Sequence, residues 1–197
     1  SKPMEMLEQA AAGDTVVLVN PDNPSGQFVE RDELLAFIAA CGAKGVRCVV
    51  DESFADFAAP DKRFSLLTEN VLEAYPWLVV VKSISKSYGV PGLRLGVIAS
   101  ADRVLLQQMR DAMPIWNINS FGEYFLQIYG LYAAEYDAAC DHIAENRLWL
   151  QNELCKIPYL TVYPSQANYI MCRVSSPWTA KELATRLLEK HSILIKS

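Results

Sequence analysis

The chain has 197 residues, of which 51% are hydrophobic and 21% are charged, and its formal net charge is −5. This length and composition predict a folded globular chain with a sizeable core, of one domain or slightly more. An acidic chain without a Lys/Arg-rich block argues against nucleic acid as a partner, and apolar runs of about five residues are too short to span a membrane.

The cysteines and histidines argue against a disulfide framework and against a zinc site. The five cysteines are odd in number and never have Cys-x-x-Cys spacing, so we expect reduced thiols that act as small buried hydrophobes, and a cytoplasmic location. His142 and His191 are isolated from each other and stand in helical contexts. We therefore expect structural roles for both histidines and no bound metal.

The first half of the chain alternates strand patterns with helix patterns. The first strand pattern, 15–19, is apolar without alternation, so we expect it to be covered on both faces. Acidic Glu30, Asp32 and Glu33 open a helix, where they complement its dipole. Strands alternating with helices predict an α/β sheet. The predicted strands are 15–19, 46–50, 77–81 and about 94–99, and the predicted helices are 4–12, about 30–42, 66–73 and 101–112.

The second half begins with a long helical pattern from about 120 to 154. We interpret its apolar stripe as core or domain-spanning packing rather than a cofactor contact. Strand patterns at 159–163 and 168–174 and a helix at 179–190 then predict the start of a smaller α/β lobe. The stripe consists of Phe121, Phe125, Ile128, Tyr132 and Tyr136, and the predicted divisions are 1–112, 113–155 and 156–197.

Polar groups follow three of the predicted strands. A turn-rich segment at 20–26 follows the first strand, Asp51 ends the second, and Lys86 follows the third. Because ligands of α/β sheets collect at the carboxyl ends of the strands, we expect these groups to form one site. The segment with Lys86, Arg94 and neighbouring hydroxyls is suited to bind a phosphate group and to place the lysine amine next to it.

Three segments, in order and spacing, resemble the fold-type I pyridoxal phosphate enzymes, the aminotransferase class I/II group. Asn-Pro-Asp-Asn-Pro-Ser-Gly at 20–26 resembles the family's turn, and Asp-Glu-Ser-Phe at 51–54 resembles its strand end. Ser-Ile-Ser-Lys at 83–86, with Arg94 further on, resembles its Schiff-base lysine segment. The resemblance implies that the chain forms part of that family's large domain, which has a mostly parallel sheet with helices on both faces. It also implies that the chain forms the start of the small C-terminal α/β domain. It also implies pyridoxal 5'-phosphate as cofactor and a homodimer.

The resemblance and the chemistry of the cofactor assign a role to each candidate residue. Lys86 is the catalytic amine, and Asp51 pairs with the ring nitrogen, with Glu52 as the second choice. Asn23 donates to the phenolic oxygen of the cofactor. Phe54 stands in the cofactor site where many members have a tyrosine, and it cannot donate a hydrogen bond. The phosphate is assigned to Ser83, Ser85 and Arg94.

Each assignment has a structural alternative. Asn23 could only hold an Asx-turn, Asp51 could only cap a loop, and Arg94 could form an ordinary surface ion pair. The hydroxyl of Ser83 could equally be unrelated to the cofactor.

The resemblance is closest to the histidinol-phosphate aminotransferase and threonine-phosphate decarboxylase branch. It predicts amino-group transfer between an amino acid or amino-acid phosphate and a 2-oxo acid. One alternative is decarboxylation of the threonine O-phosphate type. Phe54 and the segment 116–119 favour this alternative. Another is an inactive scaffold, which would need neither Lys86 nor Asp51. Family members are longer, so we expect this chain to be a fragment that alone has little activity.

Overall fold

A four-stranded sheet forms the centre of the computed structural model, which describes residues 3–197. The strands lie side by side in chain order. The first three are parallel, and the fourth is antiparallel to the third. The predicted α/β class is therefore confirmed, with a mostly parallel sheet. The strands are β1 (Thr15–Val19), β2 (Arg47–Asp51), β3 (Leu78–Ser83) and β4 (Gly96–Ala99).

Within the described part of the chain, three α-helices and two short 3-10 turns connect these strands, and one further helix precedes β1 and another follows β4. The crossover from β1 to β2 is a full helix, whereas the connection from β3 to β4 contains only short pieces. That short connection is compatible with an antiparallel neighbour. The helices are α1 (Pro3–Gln9), α2 (Arg31–Ala43), α3 (Glu69–Ala74), α4 (Ile84–Ser87) and α5 (Arg103–Ala112), and the 3-10 turns are Ala55–Phe57 and Pro91–Leu93.

The main core lies between the sheet and helix α2. Trp77 closes one end of it, and its indole Nε1 donates to the Ile38 carbonyl at 2.7 Å. A Cβ atom at Gly42 would lie 2.1 Å from the Trp77 ring, so the close approach of helix and ring requires glycine there. The largest fully buried side chains of this cluster include Phe37, Leu34, Ile38, Leu66, Leu78, Val46, Val50 and Val80.

The remaining chain forms helices and a two-stranded sheet. Helix α6 (Ser120–Ile128) leads through a 3-10 turn (Tyr129–Tyr132) into α7 (Ala133–Leu154). Strands β5 (Leu160–Val162) and β6 (Cys172–Val174) pair antiparallel. Helix α8 (Ala180–His191) follows, and a capping box between Thr179 and Glu182 begins it. The predicted division of the chain at 112/113 and 155/156 stays a prediction, and its first two residues lie outside the described range. No helix in residues 3–197 is long and apolar enough to cross a bilayer.

Two strand predictions are wrong in detail. Strand β1 is not covered on both faces: Val16 is buried, but Val17 on the opposite face is 56% exposed. β1 is an edge strand, and the described elements leave this face uncovered. The predicted strand at 94–99 begins only at Gly96, because Arg94 has a φ of 57° and a left-handed residue cannot continue a strand.

The predicted long helix is also wrong as one piece. The 3-10 turn Tyr129–Tyr132 separates α6 from α7, so the apolar stripe does not lie on one continuous α-helix. Phe121 is 79% exposed and Tyr132 is 56% exposed. Tyr136 does pack, with its ring stacked 3.9 Å from that of Tyr88.

The prediction that the cysteines are buried is correct for three of the five. Cys41, Cys48 and Cys140 are buried, Cys172 is half-buried and Cys155 is exposed, and all five are free thiols. Burial raises the pKa of the Cys48 thiol well above its ordinary value, so this thiol stays protonated inside the core.

Candidate active site

The carboxyl ends of β1, β2 and β3 meet at one edge of the sheet. The backbone N–H of Asn20 donates to the Asp51 carbonyl at 2.9 Å, and that of Glu52 donates to the Val81 carbonyl at 2.9 Å. These bonds continue the parallel pairing by one residue beyond the strands. The turn after β1, the carboxylate after β2 and the lysine segment after β3 therefore leave the sheet side by side.

Asp51 is half-buried at this edge, and its carboxylate is held from one side. Its Oδ1 accepts hydrogen bonds from the Ser53 backbone N–H at 2.9 Å and from the Ser53 hydroxyl at 2.5 Å. Its Oδ2 accepts no hydrogen bond from residues 3–197. Asp51 thus braces its own loop, as the structural alternative supposed, and also keeps one anionic oxygen for a ligand.

Glu52, the next residue, is directed into the protein. It is only 3% exposed, and its two oxygens accept from the Ser65 hydroxyl at 2.6 Å and from the Leu66 backbone N–H at 2.9 Å. Burial raises the pKa of the Glu52 carboxyl, against the opposing effect of these two donors. Its oxygens are occupied by the protein's own donors, so Asp51 is the better candidate for a ligand.

The raised pKa of Glu52 leads to a prediction about stability. A carboxyl that holds its proton more tightly in the folded state contributes stability below its ordinary pKa of 4.5, and this contribution is lost as pH rises further. Glu52→Gln stays neutral, so its free energy of unfolding should rise relative to the parent as pH increases above that value. Urea unfolding at a series of pH values measures this difference. The exposed Glu189→Gln is the control, and parallel pH curves for Glu52→Gln and the parent would contradict the prediction.

Lys86 lies on the short helix α4, directly after β3. Its side chain is exposed and forms no ion pair within residues 3–197, and its Nζ lies 4.6 Å from the centroid of the Phe54 ring. The Phe54 ring is 5% exposed and meets the edge of the Tyr169 ring, with 5.2 Å between centroids. Lys86 therefore rests on an apolar, aromatic wall and its amine is free.

The groups assigned to the phosphate surround the lysine turn. Ser85 is buried, and its hydroxyl makes only a long bond of 3.4 Å to the Leu95 carbonyl, which also accepts from the Ile84 N–H. Arg94, the residue before Leu95, is exposed and forms no ion pair with a described residue, so the alternative of a surface ion pair is wrong. The Ser83 hydroxyl has no hydrogen-bond partner in the described chain. This edge thus holds hydroxyls and an unpaired guanidinium in one neighbourhood.

Asn23 is exposed in the turn between β1 and α2, and its side chain makes no hydrogen bond with residues 3–197. Asp22 braces the turn instead, because its Oδ2 accepts from the Ser25 N–H at 3.3 Å and also from the Ser25 hydroxyl. The side chain of Asn20 ties the turn to Val29, accepting from its N–H at 2.7 Å and donating to its carbonyl at 3.0 Å. The alternative that Asn23 holds an Asx-turn is therefore wrong.

The segment from Ser165 to Tyr169 closes over this turn, and the sequence analysis missed it. The Gln166 N–H donates to the Gly26 carbonyl at 2.9 Å, and the Tyr169 hydroxyl donates to the Asp22 carbonyl at 2.8 Å. A Cβ at Gly26 would lie 2.2 Å from the Ser165 hydroxyl oxygen, which explains the glycine at the end of the turn. Because this segment folds back, the predicted strand at 168–174 begins only at 172.

Tyr169 stays a neutral hydrogen-bond donor in this position. Burial, with the negative charges of Asp22 and Asp51 nearby, raises the pKa of Tyr169 to about 12. Its hydroxyl is therefore available to the Asp22 carbonyl at all ordinary pH values. Residues 165–169 are small and polar residues before an aromatic, and this local pattern does not indicate a contact with the distant turn.

A buried polar network lies next to the short helix α4, which carries Lys86. Lys82 in β3 pairs with Asp56, with 2.7 Å between Nζ and Oδ1, and the Tyr136 hydroxyl donates to Oδ2 of Asp56 at 2.5 Å. Burial and the charge of Asp56 raise the pKa of Tyr136, so this hydroxyl keeps its proton. The stacking of Tyr136 on Tyr88 links helix α7 to the residues that follow Lys86.

Removal of Lys82 should destabilise the protein strongly. The side chains of Lys82 and Asp56 are only 11% and 17% exposed. Lys82→Met would leave the carboxylate buried without its cation, which costs about 3–5 kcal/mol of unfolding free energy. Lys62→Met is the matched control, because it removes an ion pair with Glu30 at the surface and should change stability little. Chemical denaturation measures both, and equal effects in the two variants would contradict the burial argument.

Helix α7 also contributes a buried arginine that joins distant segments. Arg147 is 8% exposed and donates to the carbonyls of Phe57 and Ala167 and to the side-chain oxygen of Gln166, the last at 3.0 Å. Gln166 in turn accepts from the Ala59 N–H at 2.9 Å. Arg147 thereby fixes the loop after β2 against the segment that closes over the turn.

The edge of the sheet therefore carries a free amine, an unpaired guanidinium and a half-buried carboxylate on segments that leave the strand ends, the place where α/β sheets bind ligands. The family model described as Aminotransferase class I and II matches residues 3–197, and the chain belongs to this family, whose members depend on pyridoxal phosphate. The resemblance recognised in the sequence is confirmed. In the described part of the chain, no group of three or more His, Cys, Asp or Glu side chains could hold a metal ion.

Curated relatives and a solved structure agree with this membership. An L-serine phosphate decarboxylase of Sulfurospirillum multivorans is 32% identical over 193 residues, which are 93% of this chain and 47% of the relative. A threonine-phosphate decarboxylase of Salmonella typhimurium is 32% identical over 188 residues, 93% of this chain and 49% of the relative. The crystal structure of the histidinol-phosphate aminotransferase from Clostridium acetobutylicum has a TM-score of 0.82 at 23% identity and covers 98% of this chain and 56% of its own, which shows the shared fold. The chain thus spans about half the length of these proteins.

Proposed function

We propose that this edge of the sheet holds pyridoxal phosphate and that the whole protein acts at the α-carbon of a phosphorylated amino acid. The observation that carries the proposal is that three groups without a partner in residues 3–197 lie on segments at this one edge of the sheet. These are the free amine of Lys86, the unpaired guanidinium of Arg94 and the free Oδ2 of Asp51. An inactive scaffold would need none of these three groups.

The donor set fits the cofactor group by group. The Oδ2 of Asp51 would accept from the protonated ring nitrogen, and the Lys86 amine would bind the aldehyde carbon. Asn23 would donate to the phenolic oxygen, as the family resemblance implies, and Phe54 has no hydroxyl that could add a second donor. When bound, pyridoxal phosphate supplies an electron-withdrawing ring that stabilises negative charge on a substrate carbon. The phosphate would be held by Ser83, Ser85 and Arg94.

The protein's own residues would perform the proton transfer and exclude water. Lys86 Nζ would carry the proton to or from the substrate α-carbon, because it lies free on a short helix at the strand end. The buried ring of Phe54, with Tyr169 against it, would keep water away from beneath the amine. Asp51, held at Oδ1 by Ser53, would present a fixed negative charge and would not itself move a proton.

Decarboxylation is the first candidate reaction. It is supported by the two decarboxylases of phosphorylated amino acids that are each 32% identical to this chain. Phe54, which stands in place of a tyrosine, is the sequence feature that also favours decarboxylation. In this reaction the substrate loses its carboxylate as carbon dioxide, and Lys86 would return a proton to the same carbon.

Transamination is the second candidate, supported by the aminotransferase family to which the chain belongs. In that case the co-substrate would be a 2-oxo acid, and Lys86 would move a proton away from the α-carbon. A homodimer and a cytoplasmic location remain predictions for the whole protein.

One assay separates these reactions. The whole protein, loaded with pyridoxal phosphate, would be incubated with serine phosphate or threonine phosphate, with and without a 2-oxo acid. Release of carbon dioxide without need of the 2-oxo acid would support decarboxylation. Formation of a new oxo acid that depends on the added 2-oxo acid would support transamination. Absence of both, together with no cofactor absorbance, would overturn the proposal and favour a scaffold.

A further inference from the structure

A buried hydroxyl joins two of the candidate cofactor-binding residues. Ser53 is 5% exposed, and it lies between the end of β2 and the end of β3. Its hydroxyl donates to Asp51 Oδ1 at 2.5 Å and accepts from the Ser83 backbone N–H at 2.8 Å. Ser53 also donates its own N–H to Asp51 Oδ1 at 2.9 Å. A single side chain thus contacts the carboxylate from one strand and the backbone of the next.

The contact with Asp51 fixes the direction of its carboxylate. Both donors from Ser53 go to Oδ1, and residues 3–197 supply none to Oδ2. A half-buried carboxylate with one oxygen anchored twice cannot rotate freely about its Cβ–Cγ bond. Its second oxygen is therefore fixed in orientation before a ligand arrives, which reduces the cost of ordering on binding.

The contact with Ser83 fixes the start of the lysine turn. Ser83 is the last residue of β3 and immediately precedes α4, which carries Lys86. Strand β2 has already ended at Asp51, and the Ser83 N–H donates to the hydroxyl of Ser53, which lies beyond that strand end. Alanine at position 53 would leave this N–H and Asp51 Oδ1 each without that hydroxyl.

We propose that Ser53 is a positioning residue that orients Asp51 toward the ring nitrogen of the cofactor and couples this carboxylate to the turn that carries Lys86. The proposal rests on the proposed binding of pyridoxal phosphate at this edge. In this role Ser53 acts through Asp51 and Ser83. The side chains of the Lys82–Asp56 pair and of Arg147 join helix α7 to the sheet and its loops, and they form no hydrogen bond with Asp51 or Ser83.

The test compares Ser53→Ala with Ser53→Cys in the whole protein. Cysteine fills nearly the same space as serine but is a weak donor, so it separates the hydrogen bonds from the packing. Both variants should bind pyridoxal phosphate roughly tenfold or more weakly, the size expected for loss of a hydrogen bond to a charged group. In both variants, the pH dependence of the absorbance of the bound cofactor should also differ from that of the parent. Ser65→Ala is the control, because its hydroxyl bonds Glu52 rather than Asp51.

Hydrogen exchange of the cofactor-free protein gives a second readout. The Ser83 amide should exchange faster in both Ser53 variants, whereas the Glu52 amide, which is bonded to the Val81 carbonyl, should not change. Parent-like cofactor affinity and absorbance in Ser53→Ala would overturn this inference alone. If Ser53→Ala lost cofactor affinity and absorbance but Ser53→Cys kept both at the parent's level, packing and not hydrogen bonding would explain the loss. That result would also overturn the inference. A parent protein that takes up no pyridoxal phosphate would overturn the proposed function as well.

Discussion

Replacement of Lys86 by alanine is expected to reduce turnover by at least about 10³-fold, since it removes the proton-transferring group. Among the described residues, the lysine nearest in sequence cannot take its place. Lys82, four residues earlier, is held by Asp56 at 2.7 Å within a buried pair. The variant should also lose the long-wavelength absorbance that the parent shows with pyridoxal phosphate. Steady-state kinetics and an absorbance titration of the whole protein measure the two effects.

The control for this variant is Lys156→Ala, which removes an exposed lysine in the turn after α7 whose partner is Glu153 near the end of that helix. It should keep parent-like turnover and absorbance. Lys86→Ala should fold as the parent does, because the Lys86 side chain is exposed and pairs with no carboxylate in the described chain. If Lys86→Ala retained turnover within a few-fold of the parent, the assignment of Lys86 as the catalytic amine would be wrong.

Asp51→Asn is expected to have the second largest effect, a loss of turnover on the order of 10²–10³-fold, the size seen when one preorganised electrostatic group is removed. The change preserves shape, and the two donors of Ser53 can still hold the side-chain oxygen of asparagine. That arrangement turns the amide NH2 of asparagine toward the ligand, where the ring nitrogen needs an acceptor. The loss should therefore appear in turnover more than in stability.

Glu52→Gln is the matched control for Asp51→Asn. It neutralises the adjacent carboxylate, but both oxygens of Glu52 are already occupied by Ser65 and Leu66 inside the protein. Its turnover should stay within a few-fold of the parent. Equal losses in the two variants would mean that the charge of this strand end matters in general, and that the free Oδ2 of Asp51 has no special role.

The sequence identified the parts of the site that lie in short, local motifs. Asp51, Lys86 and the turn at 20–26 each follow a strand pattern directly, so the parallel sheet brings them to one edge. The exposed face of Val17 was not predictable from its strand, because a continuous apolar run is the same whether or not another element covers it.

The contacts that tie the motifs together depend on distant residues, and the sequence did not indicate them. Ser53 and Ser83 are 30 positions apart, and Tyr169 and Asp22 are 147 positions apart. The sequence around a serine or a tyrosine does not indicate which distant residue its hydroxyl will bond. The left-handed conformation of Arg94 is likewise set by the turn around it and not by the residue type.

Reductive trapping tests most directly whether this edge of the sheet binds the cofactor through Lys86. The whole protein would be mixed with pyridoxal phosphate, reduced with borohydride, digested and mapped by mass spectrometry. We expect a pyridoxyl group on Lys86 in the parent and its absence from Lys86→Ala. A stable adduct on Lys82 or on a surface lysine instead of Lys86, or none at all, would contradict the placement of the cofactor at the ends of β1, β2 and β3.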